Sequence, residues 1–187
     1  MKLTSVLTAV ALIMSLAGGT AFAQSDKAKK QAEVKQAAAA TLNDFYKNKP
    51  ELKGMVEKAP GYGVFTTYGI SFVVGGAGGK GVVHNNATKK DTYMEMAQAS
   101  AGLQAGIAET KMLIVFKDAN LMDKFVNSGW EVSGSGGAGA GAGGKTVGSG
   151  GGGGAIADSD YYLLTKNGLQ AGGAVAGTKF WKDKDLN

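Results

Sequence analysis

Gly61-Tyr62-Gly63-Val64-Phe65-Thr66-Thr67-Tyr68-Gly69-Ile70-Ser71-Phe72-Val73-Val74 is where this chain changes character. Residues 62–68 and 70–74 are rich in aromatic and β-branched side chains, which suit a pleated surface. Glycine stands between the two runs. Everything before them reads as helix. Residues 26–47 carry Val34, Ala38, Leu42 and Phe45 on one stripe at helical spacing, with the strong helix formers Ala37 to Ala40 between. Ser25 or Asp26 is the expected cap. Residues 49–58 predict a second short helix, with Pro50 in its first turn and Leu52, Met55 and Val56 on its apolar side. Ala59-Pro60-Gly61 ends it.

Downstream, residues 79–84 predict a strand and Asn85-Asn86 a turn. Residues 92–98 and 101–108 predict a further pair of strands. Residues 112–116, Met-Leu-Ile-Val-Phe, are continuously apolar, the pattern of a strand buried on both faces. Asp118 or Asn120 can cap a helix running to about residue 127, and Gly129 stands where a helix end favours a left-handed residue. Thirteen of the 21 residues in 134–154 are glycine, too few side chains for a core, so a long loop or weakly ordered strands are expected there. Residues 161–165 and 169–178 predict the last strands, with Phe180-Trp181 as an aromatic anchor. The expected fold class is α+β. N-terminal helices and one internal helix pack on a twisted, glycine-rich, mostly antiparallel, barrel-like sheet.

At the start of the chain, Lys2 precedes the apolar run 7–16, and Ala21-Phe22-Ala23 offers an A-x-A cleavage site. That is the pattern of a secretory signal peptide over residues 1–23. Removing 23 of 187 residues leaves 164, enough for one domain with a real core. The reading is an exported protein, periplasmic or outer-membrane-associated. There is no Cys, so no disulfide or thiol chemistry supports the fold. All 20 basic residues are Lys, against 15 acidic. The missing Arg removes the side chain best suited to bidentate capture of phosphates and guanine edges, which argues against a nucleic-acid partner. The modest positive charge suits an anionic membrane surface.

Gly139, Gly144, Lys145 and Thr146 satisfy the spacing of a phosphate-binding loop. That loop works when a strand feeds it and a helix follows. Here glycine and serine precede it, and Gly148 with 150–154 follow, where helix costs about 1 kcal/mol per Gly. We read the match as chance, with no nucleotide site. His84 is the sole histidine. No second His and no Cys stand ready to share a metal, so no metal and no cofactor is expected. His84 reads as the end of a strand at a surface turn. No serine stands in a nucleophile signature. Asn86-Ala87-Thr88 matches a glycosylation sequon but reads as a turn. The chain is expected not to be an enzyme.

The basic cluster Lys27, Lys29, Lys30 and Lys35, together with Lys80, supplies the candidate lipid- or membrane-contacting residues. At about 100° per residue, Lys27 and Lys30 fall within about 40° of Val34. They therefore interrupt the apolar stripe instead of opposing it. Four lysines at about 1 kcal/mol each give roughly millimolar affinity. Lipid contact thus needs an additional apolar surface on the folded body.

From about residue 50 onward the order of features resembles the SYLF domain. Gly61-Tyr62-Gly63-Val64-Phe65 comes first, then residues 75–83 with Lys80. Ser100-Ala101-Gly102-Leu103-Gln104-Ala105-Gly106 follows, then the strand to Phe116 and the helix to Phe125. Lys166-Asn167-Gly168-Leu169 and Gly177-Thr178-Lys179-Phe180-Trp181 complete the order. Thr92-Tyr93-Met94-Glu95-Met96 replaces the Trp-containing block of many members, which looks like an exported bacterial subgroup. The resemblance implies a lipid-binding module, with residues 24–48 as an N-terminal helix and 49–187 as the domain. Actin, a partner of some members, does not fit an exported bacterial chain. The alternative is a structural or protein-interaction protein of the envelope, with residues 134–154 docking a protein partner.

Overall fold

The computed structural model describes residues 17–72, 76–99, 109–133, 137–140, 145–146, 159–165, 168–171 and 178–187. The expected strand at 101–108 and the apolar run 7–16 lie outside them. Three helices are described: α1 (Ala17–Asn48), α2 (Glu51–Lys58) and α3 (Ala119–Ser128). The strands are β1 (Gly61–Phe72), β2 (Gly76–Asn85), β3 (Asp91–Ala99), β4 (Glu109–Phe116), β5 (Trp130–Ser133), β6 (Gly137–Ala140), β7 (Lys145–Thr146), β8 (Ser159–Thr165), β9 (Gly168–Ala171) and β10 (Thr178–Lys182). They form one sheet in the order β7-β6-β5-β10-β3-β2-β1-β4-β8-β9. Every described ladder is antiparallel. The fold is α+β, and the sheet curls into a half-barrel.

Successive side chains along a strand point to opposite faces, so the sheet divides its apolar residues between two layers. One face holds Phe65, Met94, Met96, Met112, Ile114, Phe116 and Phe180, covered by Met122 and Phe125 of α3. The other holds Val64, Leu113, Val115 and Tyr162, covered by Phe45 of α1 and by Leu52 and Val56 of α2. A smaller cluster of Val82, Tyr93 and Leu186 receives Val34 and Ala38 of α1. β4 lies inside the sheet between β1 and β8, and Met112 to Phe116 are all buried, as the unbroken apolar run predicts.

Glycine makes the α3 face possible. Gly81 pairs with Phe65 across β1 and β2. A Cβ at Gly81 would collide with the Phe65 ring and the Val64 carbonyl, and one at Gly61 with Met122 and the His84 carbonyl. The bare backbone at these places lets Phe65 and α3 settle onto the sheet.

The ends of the helices are set locally. Asp118 Oδ1 accepts from the Leu121 amide at 2.8 Å, so Asp118 and not Asn120 caps α3. Gly129 leaves α3 at φ +70°, as expected for a glycine in that position. Asn86 Nδ2 donates to the Val56 and Ala59 carbonyls at 2.7 and 2.8 Å. The sequon asparagine therefore closes the open end of α2.

One expectation changes, and two strands take a form that the sequence leaves open. α1 begins at Ala17, so neither Ser25 nor Asp26 caps it, and the helix runs straight through them. The runs at 62–68 and 70–74 share a strand as far as they are described. Gly61–Phe72 is one strand whose register shifts between Tyr68 and Phe72. Phe180 is anchored in the core, and Phe180-Trp181 also forms part of a strand the sequence does not mark, β10, paired with β3 on one side and β5 on the other. The pairing inserts a C-terminal segment into the sheet interior, which a local pattern of five residues does not disclose.

Candidate functional site

α1 crosses the sheet obliquely, and its contacts run in order along its length. Lys27 Nζ donates to the Asn187 carbonyl at 2.8 Å and Gln31 to the Leu186 carbonyl at 2.8 Å. Lys35 Nζ meets Asp91 Oδ2 on β3 at 2.6 Å. The Thr41 and Thr66 hydroxyls share a hydrogen bond at 2.9 Å on β1. Asp44 Oδ2 accepts from Lys111 Nζ on β4 at 2.8 Å. The contacts are polar at the start of this series and end on Phe45, which is wholly buried.

The run Ala37 to Ala40 lies in the middle, and its side chains are too small to fill the space over β1–β3. Two clefts result, one on each flank of α1. The first, about 200 Å³, is lined by Lys35, Ala38, Ala39, Leu42, Tyr62, Val64, Val82, His84 and Asp91. The second, about 290 Å³, is lined by Glu33, Val34, Ala37, Ala38, Val64, Thr66 and Lys80. Ala38 and Val64 line both.

At the polar end of the first cleft, His84 Nδ1 lies 2.6 Å from Asp91 Oδ1. These residues are register partners on β2 and β3. The Tyr62 ring packs on His84 with centroids 5.3 Å apart. Partial burial opposes ionisation of Asp91, but the hydrogen bonds from Lys35 and His84 outweigh it and hold the carboxyl below its usual range. Lys35 is pushed up by its hydrogen bond to Asp91. Burial pushes the Tyr62 phenol up, so it keeps its proton. At the second cleft, Lys80 pairs with Asp183 at 2.7 Å and Glu95 at 3.2 Å. Partial burial opposes its charge, yet these two carboxylates raise its pKa.

The five candidate lysines are thus not one patch. Lys35 and Lys80 stand at the rims of different clefts. Lys27 is spent on the chain's own tail. Lys29 and Lys30 are exposed and make no ion pair among the described residues. The angular count from the sequence places Lys27 near the apolar stripe, and its hydrogen bond to the tail is exposed. Asp91, Tyr62 and Asp183 are not among the candidate site residues that the sequence offers. One signal was available for Asp91: a hairpin turning at residues 85–90 sets His84 opposite it.

The phosphate-loop pattern falls on a hairpin. Gly139 pairs with Thr146 and Ala140 with Lys145, joining β6 to β7. Gly144 lies outside the described residues. Lys145 and Thr146 are strand residues, whereas a phosphate loop would set them at the start of a helix. Among the described residues no group of three metal-ligating side chains comes together, and no helix is long and apolar enough to cross a membrane.

The chain is similar to Beta cell expansion factor A of Aeromonas veronii. The two are 34% identical over 144 residues, which is 76% of this chain and 53% of the relative. The chain therefore spans about half the length of the curated relative it matches. No family model matches it. Neither cleft lining contains a serine or cysteine.

Proposed function

We propose that this chain is an exported, non-catalytic binding module of the SYLF type that holds lipid or a membrane surface in a bacterial envelope. The observation that carries the proposal is the seam of α1. Apolar floors are flanked by lysine rims on both sides of α1. The relative and the order of sequence blocks support the family. Lys29 and Lys30 add about 2 kcal/mol at an anionic surface, too little to hold the protein there alone. The seam supplies the apolar contact that the lysines lack.

Flotation of the purified chain with vesicles tests the reading. Binding is expected with anionic lipid at low salt and weakens as salt rises. No flotation at low salt overturns lipid binding. Sequencing the N-terminus of the chain recovered from an envelope fraction tests export. A start at Gln24 is expected, and an intact chain confined to the cytosol refutes it.

A further inference from the structure

We propose that the cleft between α1 and β1–β3 is a site for a single-chain aliphatic carboxylate, with its head at Lys35 and Tyr62, beside His84, and its tail over Val64 and Val82. The proposal rests on the binding-module reading and narrows it to one ligand class.

The apolar part of the cleft is built from Ala38, Ala39 and Leu42 above and Val64 and Val82 below. Its polar end is one-sided in what it can offer. Both oxygens of Asp91 are engaged, Oδ1 with His84 and Oδ2 with Lys35. Asp91 therefore orients its neighbours and has little left with which to attract a cation. Lys35 uses one ammonium hydrogen on Asp91 and keeps two, with its side chain 54% exposed. The Tyr62 hydroxyl remains a donor. His84 turns Nδ1 to Asp91, which directs Nε2 away from it. Lys35 and Tyr62 are thus left as donors for a ligand, so an acceptor head is what fits beside them.

Charge selects among acceptors. Lys35 and Asp91 offset one another, so the end of the cleft carries little net positive charge. A dianionic phosphate would go uncompensated there. A monoanionic carboxylate needs only the donors. Size selects among tails. The cleft measures about 200 Å³, below the roughly 300–1,000 Å³ of sites for drug-sized ligands. One short hydrocarbon chain fits; a two-chain lipid does not.

Calorimetric titration of the full chain with octanoate, kept below its self-association concentration, tests this. Octyl phosphate and octyltrimethylammonium serve as head-group controls. Saturable one-to-one binding of octanoate is expected, with both controls weaker. Ala39 lines this cleft alone, and Ala37 lines only the other. Ala39→Leu should abolish binding and Ala37→Leu should leave it unchanged. Lys35→Met should weaken it about tenfold, the loss of one charge-assisted hydrogen bond. The sole histidine gives a probe that needs no variant: octanoate should shift the His84 ring signals in the NMR spectrum to saturation. Unmoved His84 signals, equal binding of the ammonium control, or full binding by Ala39→Leu overturns the site. Vesicle flotation of the same preparation separates the two ideas. Flotation without octanoate binding defeats the cleft and spares the module, whereas loss of both defeats both.

Discussion

Lys35 Nζ stands 2.6 Å from Asp91 Oδ2, so one ion pair fastens the middle of α1 to the third strand. The same aspartate meets His84 through its other oxygen. One carboxylate thus ties a helix and two strands together at the mouth of the cleft.

Removing Asp91 should cost more than removing Lys35. Asp91→Ala leaves two polar partners unsatisfied at a part-buried position and should cost about 1–3 kcal/mol. Lys35→Ala removes a half-exposed charge and should cost under about 1 kcal/mol. Urea unfolding of the two variants checks the order, and equal losses would contradict it.

The pair also sets a pH dependence. The folded pKa of Asp91 lies below its unfolded value of about 3.9. Its stabilisation is therefore complete above that value and fades as pH falls through the folded pKa. Asp44 behaves alike, lowered chiefly by its hydrogen bond to Lys111. The urea midpoint should decline below about pH 4, and Asp91→Asn should start lower and decline less. Parallel curves for the two proteins would remove Asp91 from the explanation.

Two glycines should respond in opposite directions. A Cβ at Gly81 runs into Phe65 and the Val64 carbonyl, whereas one at Gly54 in α2 meets nothing within 4 Å. Gly81→Ala should destabilise by about 1–3 kcal/mol or prevent folding. Gly54→Ala should stabilise by about 0.4–1 kcal/mol. Thermal midpoints read both. A stable Gly81→Ala would show that the sheet can yield at Phe65.

Phe125 is the keystone of the α3 face. Its ring lies 5.2 Å from both Phe116 and Phe180 and 6.3 Å from Phe65, centroid to centroid. Phe125→Ala should cost about 3–5 kcal/mol. Chemical unfolding measures it, and a loss below 1 kcal/mol (roughly a third of the smallest expected value) would mean that the layer collapses to fill the hole.

Lys29 and Lys30 test the surface electrostatics. Replacing both with Ala should weaken binding to anionic vesicles at low salt by about tenfold or more, at about 1 kcal/mol each. Thermal stability should barely change, because neither makes an ion pair among the described residues. Unaltered flotation would move the electrostatic contact elsewhere.

Much of the fold can be read in the chain because its strongest signals are local. The stripe of Val34, Ala38, Leu42 and Phe45 faces the sheet. The run at 112–116 is buried on both sides. Asp118 caps α3 and Gly129 ends it. The start of α1 was misjudged because capping residues are optional where helix formers such as Ala21 and Ala23 continue the pattern upstream. β10 goes unmarked because its partners, β3 and β5, are far away in sequence, and pairing energy leaves no local trace.

The site divides along the same line. Residue spacing alone sets where helices and buried strands form, since periodicity depends only on backbone geometry and side-chain solubility. Which lysine meets which carboxylate depends on strand order. Lys35 reaches Asp91 and Lys80 reaches Asp183 because β2, β3 and the tail lie side by side beneath α1. The two clefts exist for a similar reason: four alanines promote a helix by themselves, but they leave space only once a sheet lies under them.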